Sequence, residues 1–336
     1  MRDVGALAGV SLKTVSRVVN REAGVSPELE ERVRVAVERL DYRHNMAASN
    51  LRRGDGKTAT IGVVFEDVAN PFASAVHRAI EDVARARGVL VFAGSSDEDP
   101  SRERELVSAF ASRRVDGVIL LSGDTDHSYL LNERRAGTAI VFVDRPPSFL
   151  DADTVTVDNE AGGSIAVRHL LGHGHRRIAY LGDRLGVHTA LARFAGYTRA
   201  LTEAGITVDE TLVHHAQRNA DDADAAVEAM LSAPEPPTAI FASQNLVTIG
   251  TLRALHRRRR HHDVALVGFD DFALAEALEP GVTVIAQDTN RIGREAAEQI
   301  FRRLDGDTGP TRRAVLPVTL VPRGSGELNV TAPGSR

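Results

Sequence analysis

The sequence has no cysteine, and no apolar run approaches the ~20 residues that cross a bilayer. The absence of cysteine excludes disulfide bonds, thiol nucleophiles and thiolate metal sites. The N-terminus lacks the apolar segment of a signal peptide, so we expect a cytoplasmic protein without a membrane anchor. The 336 residues, 43% hydrophobic and 26% charged, have the composition of a soluble globular protein with two or three domains.

Charge is distributed unevenly along the chain. Residues 1–57 contain 11 Lys and Arg against 8 Asp and Glu, a net charge of +3, whereas the remainder contains 30 against 38, a net charge of −8. A mildly basic head on an acidic body suits a protein that presents one end to nucleic acid.

The head has only helical periodicity. We predict a short helix over residues 3–8, a turn at Gly9, a second helix capped by Ser11 and a third that begins at Ser26 and Pro27. The apolar residues predicted to pack the first two helices together are Val4, Leu7, Ala8, Val10, Val15 and Val18. The third helix carries its apolar residues on one face, at Leu29, Val33, Val37 and Leu40.

The body alternates between buried strands and helices. The predicted strands are 61–65, 89–93, 115–121, 139–143, 177–181, 212–215, 239–242, 264–268 and a last one at 315–320. The predicted helices between them are 72–87, 102–114, 128–135, 160–171, 189–204, 222–231 and 245–257. This pattern predicts an α/β body of two doubly wound parallel sheets behind an all-α helix-turn-helix head, with a ligand cleft between the two sheets.

The second helix has a polar face that suits DNA. Leu12, Lys13, Ser16 and Arg17 fall on one side of it, where an arginine could reach guanine in the major groove and hydroxyls could reach phosphates. An ordinary helical hairpin with a solvated face fits the spacing equally well.

The head resembles the lactose/galactose-repressor (LacI/GalR) family. Residues 3–20 read D-V-G-A-L-A-G-V-S-L-K-T-V-S-R-V-V-N, and the family signature is close to D-V-A-x-x-A-G-V-S-x-x-T-V-S-R-V-x-N, so Gly5 is the one departure. The resemblance implies that Leu12, Lys13 and Arg17 occupy base-reading positions. The resemblance also implies that four polar residues contact phosphates or bases: Ser11, Thr14, Ser16 and Asn20.

Residues 42–51 are similar to the hinge of the same family, which forms a helix on operator DNA. The resemblance implies DNA contacts at Asn45, Ala48 and Leu51, with Leu51 as the apolar wedge in the minor groove. His44 replaces the usual proline, and a flexible linker is the alternative interpretation.

The body resembles the family's effector domain, which is similar to periplasmic sugar-binding proteins. The resemblance implies effector contacts at Phe72, Asp144, Arg193, Asn245 and Asp270. Carboxylate, amide and guanidinium groups suit a polyol, because each hydroxyl both donates and accepts hydrogen bonds. Val187 lacks the charge found there in purine-responsive relatives, which disfavours a nucleobase. We expect Asp158 and Asp271 to be a helix cap and a loop residue.

These patterns divide the chain into a helix-turn-helix domain (1–44), a hinge and linker (45–57), an effector-binding and dimerisation domain (58–325) and a tail (326–336). Within the third, 58–158 plus 289–325 form the first subdomain and 159–288 the second. The tail has no leucine heptads, which favours a homodimer over a tetramer.

The predicted function is that of a sequence-specific repressor, released from a pseudo-palindromic operator by a sugar or related metabolite. Alternatives are a repressor that needs a corepressor, a sugar-binding transport protein, and a sugar-converting enzyme. No catalytic residue and no cofactor are predicted. No metal site is predicted either, because His173, His175, His214 and His215 lack further ligands in the sequence, and the basic run 256–262 is expected to form a solvated turn.

Asp3 already lies inside the family motif, without the usual preceding Ser or Thr cap. We therefore expect that translation naturally starts several codons upstream. The alternative is a genuine short start whose ammonium group contacts a DNA phosphate.

Overall fold

The computed structural model describes residues 1–19, 23–42 and 57–330. The chain splits into two compact units, Met1–Thr58 and Ala59–Arg336. Four predicted DNA contacts lie outside the described residues: Asn20, Asn45, Ala48 and Leu51. Within the described ranges, no helix is both long and apolar enough to span a membrane.

The first unit contains three described helices, α1 (Arg2–Ala8), α2 (Leu12–Val19) and α3 (Pro27–Arg39). Gly9 ends α1 in the left-handed conformation, with φ 64°. The Ser11 hydroxyl accepts a hydrogen bond from Thr14 N (3.1 Å) at the start of α2, and Ser26 caps α3. The predicted helix starts are therefore confirmed.

The core of this unit consists of Val4, Ala8, Val15, Val33 and Ala36. Two predicted packing residues, Leu7 and Leu40, are instead 49% and 43% exposed. Val4 and Ala8 are one turn apart and face the core together, so Leu7 lies on the flank of α1. Leu40 follows the last residue of α3, where the helical periodicity no longer applies.

The second unit begins with a parallel sheet that we call the sheet of lobe 1. Its strands are β1 (Thr60–Phe65), β2 (Leu90–Ser95), β3 (Gly117–Leu120), β4 (Ala139–Val143), β5 (Asp153–Val157) and β11 (Arg313–Leu316), in the order β11-β5-β4-β3-β1-β2. Its helices are α4 (Pro71–Ala86), α5 (Pro100–Ser112), α6 (Leu131–Arg135) and α11 (Thr289–Leu304). Apolar clusters on both faces of the sheet cover its buried strands.

Lobe 2 contains the other sheet. Its strands are β6 (Ile178–Leu181), β7 (Val213–His214), β8 (Ala239–Ala242), β9 (Ala265–Phe269), β10 (Thr283–Gln287) and β12 (Val318–Val321), in the order β12-β10-β9-β8-β6-β7. All its strand pairs are parallel except β10–β12. Its helices are α7 (Asn159–Gly172), α8 (His188–Glu203), α9 (Ala220–Leu231) and α10 (Asn245–Arg257). The predicted fold class is confirmed.

Three elements were not predicted: β5, β10 and α11. The single strand predicted at 315–320 is wrong, because Pro317 separates β11 from β12 and the two belong to different sheets. Residues 318–325 therefore do not belong to the first subdomain as predicted: β12 pairs with β10, and Ser325 N donates to Gly281 O at 2.9 Å. Within residues 57–330, the chain crosses between the lobes three times, at 157–159, 287–289 and 316–318.

Candidate DNA-binding surface and ligand cleft

In the first unit, α2 presents the predicted base-reading residues on one surface. Leu12 is 47% exposed, Lys13 is exposed, and Ser16 and Arg17 are half-exposed. An exposed leucine and lysine in the first turn of a short helix can meet base edges without unpacking the core.

The Arg17 guanidinium lies against the loop before α3. Its Nη2 donates to Ala23 O at 2.7 Å. Gly24, with φ 93°, leaves room for it, since a Cβ there would lie 2.9 Å from Nη2. This contact orients the guanidinium group, which has further N–H donors that could reach a base.

Arg32 on α3 contacts the end of α1 next to this surface. It was not predicted from the sequence. Its Nη2 donates to Ala8 O at 2.6 Å and Gly9 O at 3.4 Å. The guanidinium thus satisfies carbonyl groups that the end of α1 leaves without a helical partner. This contact fixes α1 against α3.

In the second unit, two aspartates occupy equivalent places at the carboxyl ends of strands. Asp144 follows β4 and Asp270 follows β9, and both have φ 69°. Asp144 N donates to Val155 O and Asp270 N donates to Ile285 O, each at 2.9 Å. The two lobes therefore place a carboxylate at the cleft with the same local backbone.

On lobe 2, Arg193 is buried and held in place by three elements. Its Nε donates to Asn159 Oδ1 and its Nη1 to Ser243 O, both at 2.7 Å. Its guanidinium carbon lies 3.7 Å from the ring centroid of Phe269. None of the described residues accepts a hydrogen bond from Arg193 Nη2.

Asp270 lies beside this arginine, with its Oδ2 at 3.8 Å from Arg193 Nη1. Its Oδ1 accepts from Gln287 Nε2 at 2.5 Å, while Gln287 Oε1 is buried and accepts no hydrogen bond from the described residues. Burial raises the pKa of Asp270, and the charge of Arg193 opposes the shift. Unpaired polar atoms of this kind are expected where a polar ligand completes the site.

Asn245 connects the two lobes. Its Nδ2 donates to Asn70 Oδ1 at 2.8 Å, and Asn70 caps α4 by accepting from Phe72 N at 3.0 Å. Phe72 and Asp144 line one small cavity together with Asn70. All five predicted effector contacts thus lie around one cleft, and their role in binding stays a prediction.

Lobe 1 contributes a cluster of charges. Arg145 contacts Glu66, lies 3.2 Å from a Glu98 oxygen and lies 3.8 Å from an Asp144 oxygen. Burial of the Glu66 carboxyl group raises its pKa to about 8, although the charge of Arg145 opposes the shift.

Glu98 also reaches across the cleft to lobe 2. Its Oε2 lies 2.8 Å from Arg184 Nη2 and 3.6 Å from Arg218 Nη2. Both Asp97 and Glu98 have positive φ, 52° and 57°, which is strained for residues other than glycine. A cavity of about 450 Å³ lies beside them, lined by residues of both lobes.

Sequence reasoning missed Glu66, Glu98 and Gln287. Glu66 could have been found, because it directly follows the predicted strand 61–65. Gln287 ends a strand that was not predicted, and Glu98 lies in a loop without periodicity. Asp158 and Asp271 are a helix cap and a loop residue paired with Arg323, as expected.

Two protein-family models match parts of this chain. Residues 1–45 match the model for bacterial regulatory proteins of the lacI family, and residues 167–326 match the periplasmic binding protein-like domain. The chain is 35% identical over 334 residues to the transcriptional regulator CelR of Thermobifida fusca, covering 96% of this chain and 97% of CelR. The chain belongs to the LacI family.

Other members of the LacI family are similar over nearly the whole chain. The ribose operon repressor of Escherichia coli K12 is 30% identical, with 97% of this chain and 99% of that protein covered. Among solved structures, the Lac repressor bound to ONPG superposes with a TM-score of 0.83 at 27% identity, and the CelR–cellobiose complex with 0.70 at 33%. Each covers 96% of this chain and 98% of the neighbour.

Proposed function

We propose that this LacI-family regulator is a repressor that binds operator DNA through α2 and is released when a neutral sugar or related polyol enters the body. The observation that carries the effector assignment is the set of open polar atoms around Asp270. Asp270 Oδ2 and Gln287 Oε1 can each accept a hydrogen bond from a ligand, and Arg193 Nη2 can donate one. A sugar hydroxyl can do both, so a polyol satisfies this set.

The charge of the cleft favours a neutral ligand over an anionic one. The cavity of about 450 Å³ is lined by six carboxylates and one guanidinium group, those of Glu66, Asp67, Asp97, Glu98, Asp183, Asp222 and Arg218. A phosphate group would add repulsion there. The solved CelR relative was captured with cellobiose, which is a neutral sugar.

We infer that the active species is a cytoplasmic homodimer. The edge strand β2 of lobe 1 exposes Leu90 (64%) and Phe92 (39%), an apolar face that suits a partner. A solved Lac repressor structure, similar with a TM-score of 0.82, is a dimer bound to operator. Two heads would then read two half-sites of a pseudo-palindrome. The relatives are named as regulators, and we infer no catalytic activity.

The DNA-binding part is tested by selecting operator sequences from a random duplex library with the full-length protein. We expect Arg17→Ala to weaken binding to the selected operator by about 1–3 kcal/mol, roughly 5- to 150-fold, and binding to random DNA far less. The matched control is Arg34→Ala, which removes the same charge from an exposed residue of α3 paired with Glu31 and Glu38. Equal weakening on both DNAs would make Arg17 a phosphate contact.

The effector part is tested with cellobiose, ribose and other neutral sugars, beside sugar phosphates and nucleobases. We expect a neutral sugar to raise the unfolding temperature and to release the selected operator. A ligand that tightens operator binding would establish the corepressor alternative. Binding of phosphorylated sugars or nucleobases alone would refute the proposal.

A further inference from the structure

A second group of ligating side chains lies in lobe 2, at the end of α7 away from Asn159. His169 is in the last turn of α7, and His173 caps its C-terminal end. Glu327 comes from the segment that follows β12. One ligating atom of each residue lies within 4.8 Å of the others. We infer that His169, His173 and Glu327 form a binding site for a divalent transition-metal ion such as Zn²⁺.

The spacing of the two histidines is suitable for such an ion. Residues four apart on a helix project from one face, one turn apart. The imidazole rings of His169 and His173 have centroids 4.9 Å apart, and His169 Nε2 lies 2.5 Å from Glu327 Oε1. Zinc bonds of about 2.0–2.2 Å need ligand atoms roughly 3–3.5 Å apart, so small side-chain rotations suffice.

The carboxylate of Glu327 is oriented by its other oxygen. Oε2 accepts hydrogen bonds from Thr283 Oγ1 at 2.7 Å and from Gly324 N at 2.5 Å. The other oxygen, Oε1, is thereby left facing His169 Nε2. Metal ligands are commonly held in this way by a second set of hydrogen bonds.

An ordinary ion pair explains less of this arrangement. A pair of His169 with Glu327 would leave the position of the His173 ring against His169 unexplained. The His173 imidazole packs against that of His169, while its backbone N–H donates to Leu170 O at 3.2 Å in capping α7. Two imidazoles and one carboxylate are a donor set that suits zinc, with water in the fourth position. All three side chains are half-buried, so water can reach that position.

The third ligand could not be recognised from the sequence around the histidines. Glu327 is more than 150 residues away in the chain, and the fold brings it to α7. A bound ion would fasten the segment 324–328 to α7. That segment is already part of lobe 2, since Ser325 Oγ donates to Leu266 O at 2.7 Å. We therefore expect the ion to stabilise lobe 2.

The test is calorimetric titration of ZnCl₂ into the full-length protein after treatment with EDTA, with Co²⁺ absorption in the visible region as the second readout. We expect one ion per chain at this site. His173→Ala should weaken binding by at least tenfold and abolish the cobalt spectrum. Thr283→Val should weaken it by about 10- to 100-fold, because the carboxylate loses its orienting hydrogen bond and the N–H groups of Arg323 and Gly326 lose the Thr283 acceptor.

The control addresses a rival group of histidines on lobe 2, where the rings of His256, His261 and His262 are stacked or tilted against one another. His262→Ala should leave zinc affinity and the cobalt spectrum unchanged. Glu327→Gln, which retains the shape of the side chain, should behave like His173→Ala if the protein remains folded by circular dichroism. The proposal is overturned if zinc binding survives His173→Ala and Glu327→Gln, or if His262→Ala abolishes it.

Discussion

The two sides of the cleft are built on the same backbone but with different chemistry. Asp144 of lobe 1 and Asp270 of lobe 2 both follow a strand with φ 69°. Asp270 accepts a hydrogen bond from the neutral Gln287, whereas none of the described residues donates a hydrogen bond to the Asp144 carboxylate, which lies beside Arg145. At these equivalent positions, the carboxylate of lobe 2 is therefore held by a hydrogen bond and the carboxylate of lobe 1 is not.

The difference extends to the neighbours of each aspartate. On lobe 2, Arg193 is fixed by neutral partners, Asn159 and the Ser243 carbonyl. On lobe 1, Arg145 shares its guanidinium among carboxylates, and one of these, Glu98, also pairs with lobe 2. Neutral hydrogen bonds are directional and keep one geometry, while a guanidinium group shared among several carboxylates can change partners and still keep its charge compensated. We infer that lobe 2 fixes the orientation of the ligand and lobe 1 adjusts to it.

The largest expected effect of breaking this arrangement is at Arg193. Arg193→Ala leaves Asp270 buried without its charge partner, which typically costs about 3–5 kcal/mol of unfolding free energy. The measurement is urea unfolding of the full-length protein without ligand. Operator binding by the folded fraction should persist, while the response to any sugar is lost.

The matched control for Arg193 is on the same helix. Arg199 is exposed and pairs with Glu160 and Glu203 at the surface, so Arg199→Ala should cost under about 1 kcal/mol. If the two variants unfold at the same urea concentration, lobe 2 is not the fixed side of the cleft.

A smaller effect should separate the two aspartates. Asp270→Asn retains the side-chain shape and removes the charge, which should weaken sugar binding by about 1.5–3 kcal/mol, the value of a hydrogen bond to a charged group. Asp144→Asn should weaken it less, because no described residue holds the Asp144 carboxylate by a hydrogen bond, so this side chain loses more entropy when it binds the sugar. Calorimetry with the sugar selected by the screen measures both. An equal loss, or a larger one at Asp144, would remove the distinction between the lobes.

Much of the fold could be predicted because its signals are local. Helix starts at Ser11 and Ser26 follow from capping chemistry within four residues, and the buried strands of β-branched residues follow from composition. The strands β5 and β10 were missed because their polar residues are buried only by distant partners. Asp153 is bound by Arg303, and Thr283 by Glu327. Neither partner can be identified from the neighbouring sequence.

The same reasoning applies to the candidate cleft. The positions carried over from the family are close together because each follows a predicted strand or begins a predicted helix. The charge cluster was not predicted, since Glu66, Glu98 and Arg145 come from three separate loops and meet only in the folded lobe. The family resemblance identified the positions that face the cleft, but the hydrogen-bond and ion-pair partners of each side chain could be seen only in the folded structure.

The smallest expected effect concerns the ion pair between the lobes. Glu98 Oε2 and Arg184 Nη2 are 2.8 Å apart, and Arg184 is half-exposed, so a double-mutant cycle with Glu98→Gln and Arg184→Gln should give a coupling of about 0.2–1 kcal/mol. Because salt screens exposed charges, the coupling should fall between 0.05 and about 0.5 M KCl.

The comparison pair is Arg87 with Asp305, also 2.8 Å apart but within lobe 1. Bound sugar should alter the Glu98–Arg184 coupling and leave the Arg87–Asp305 coupling unchanged, because only the former joins the two sides of the cleft. Parallel changes in both pairs would show that Glu98 does not sense the ligand.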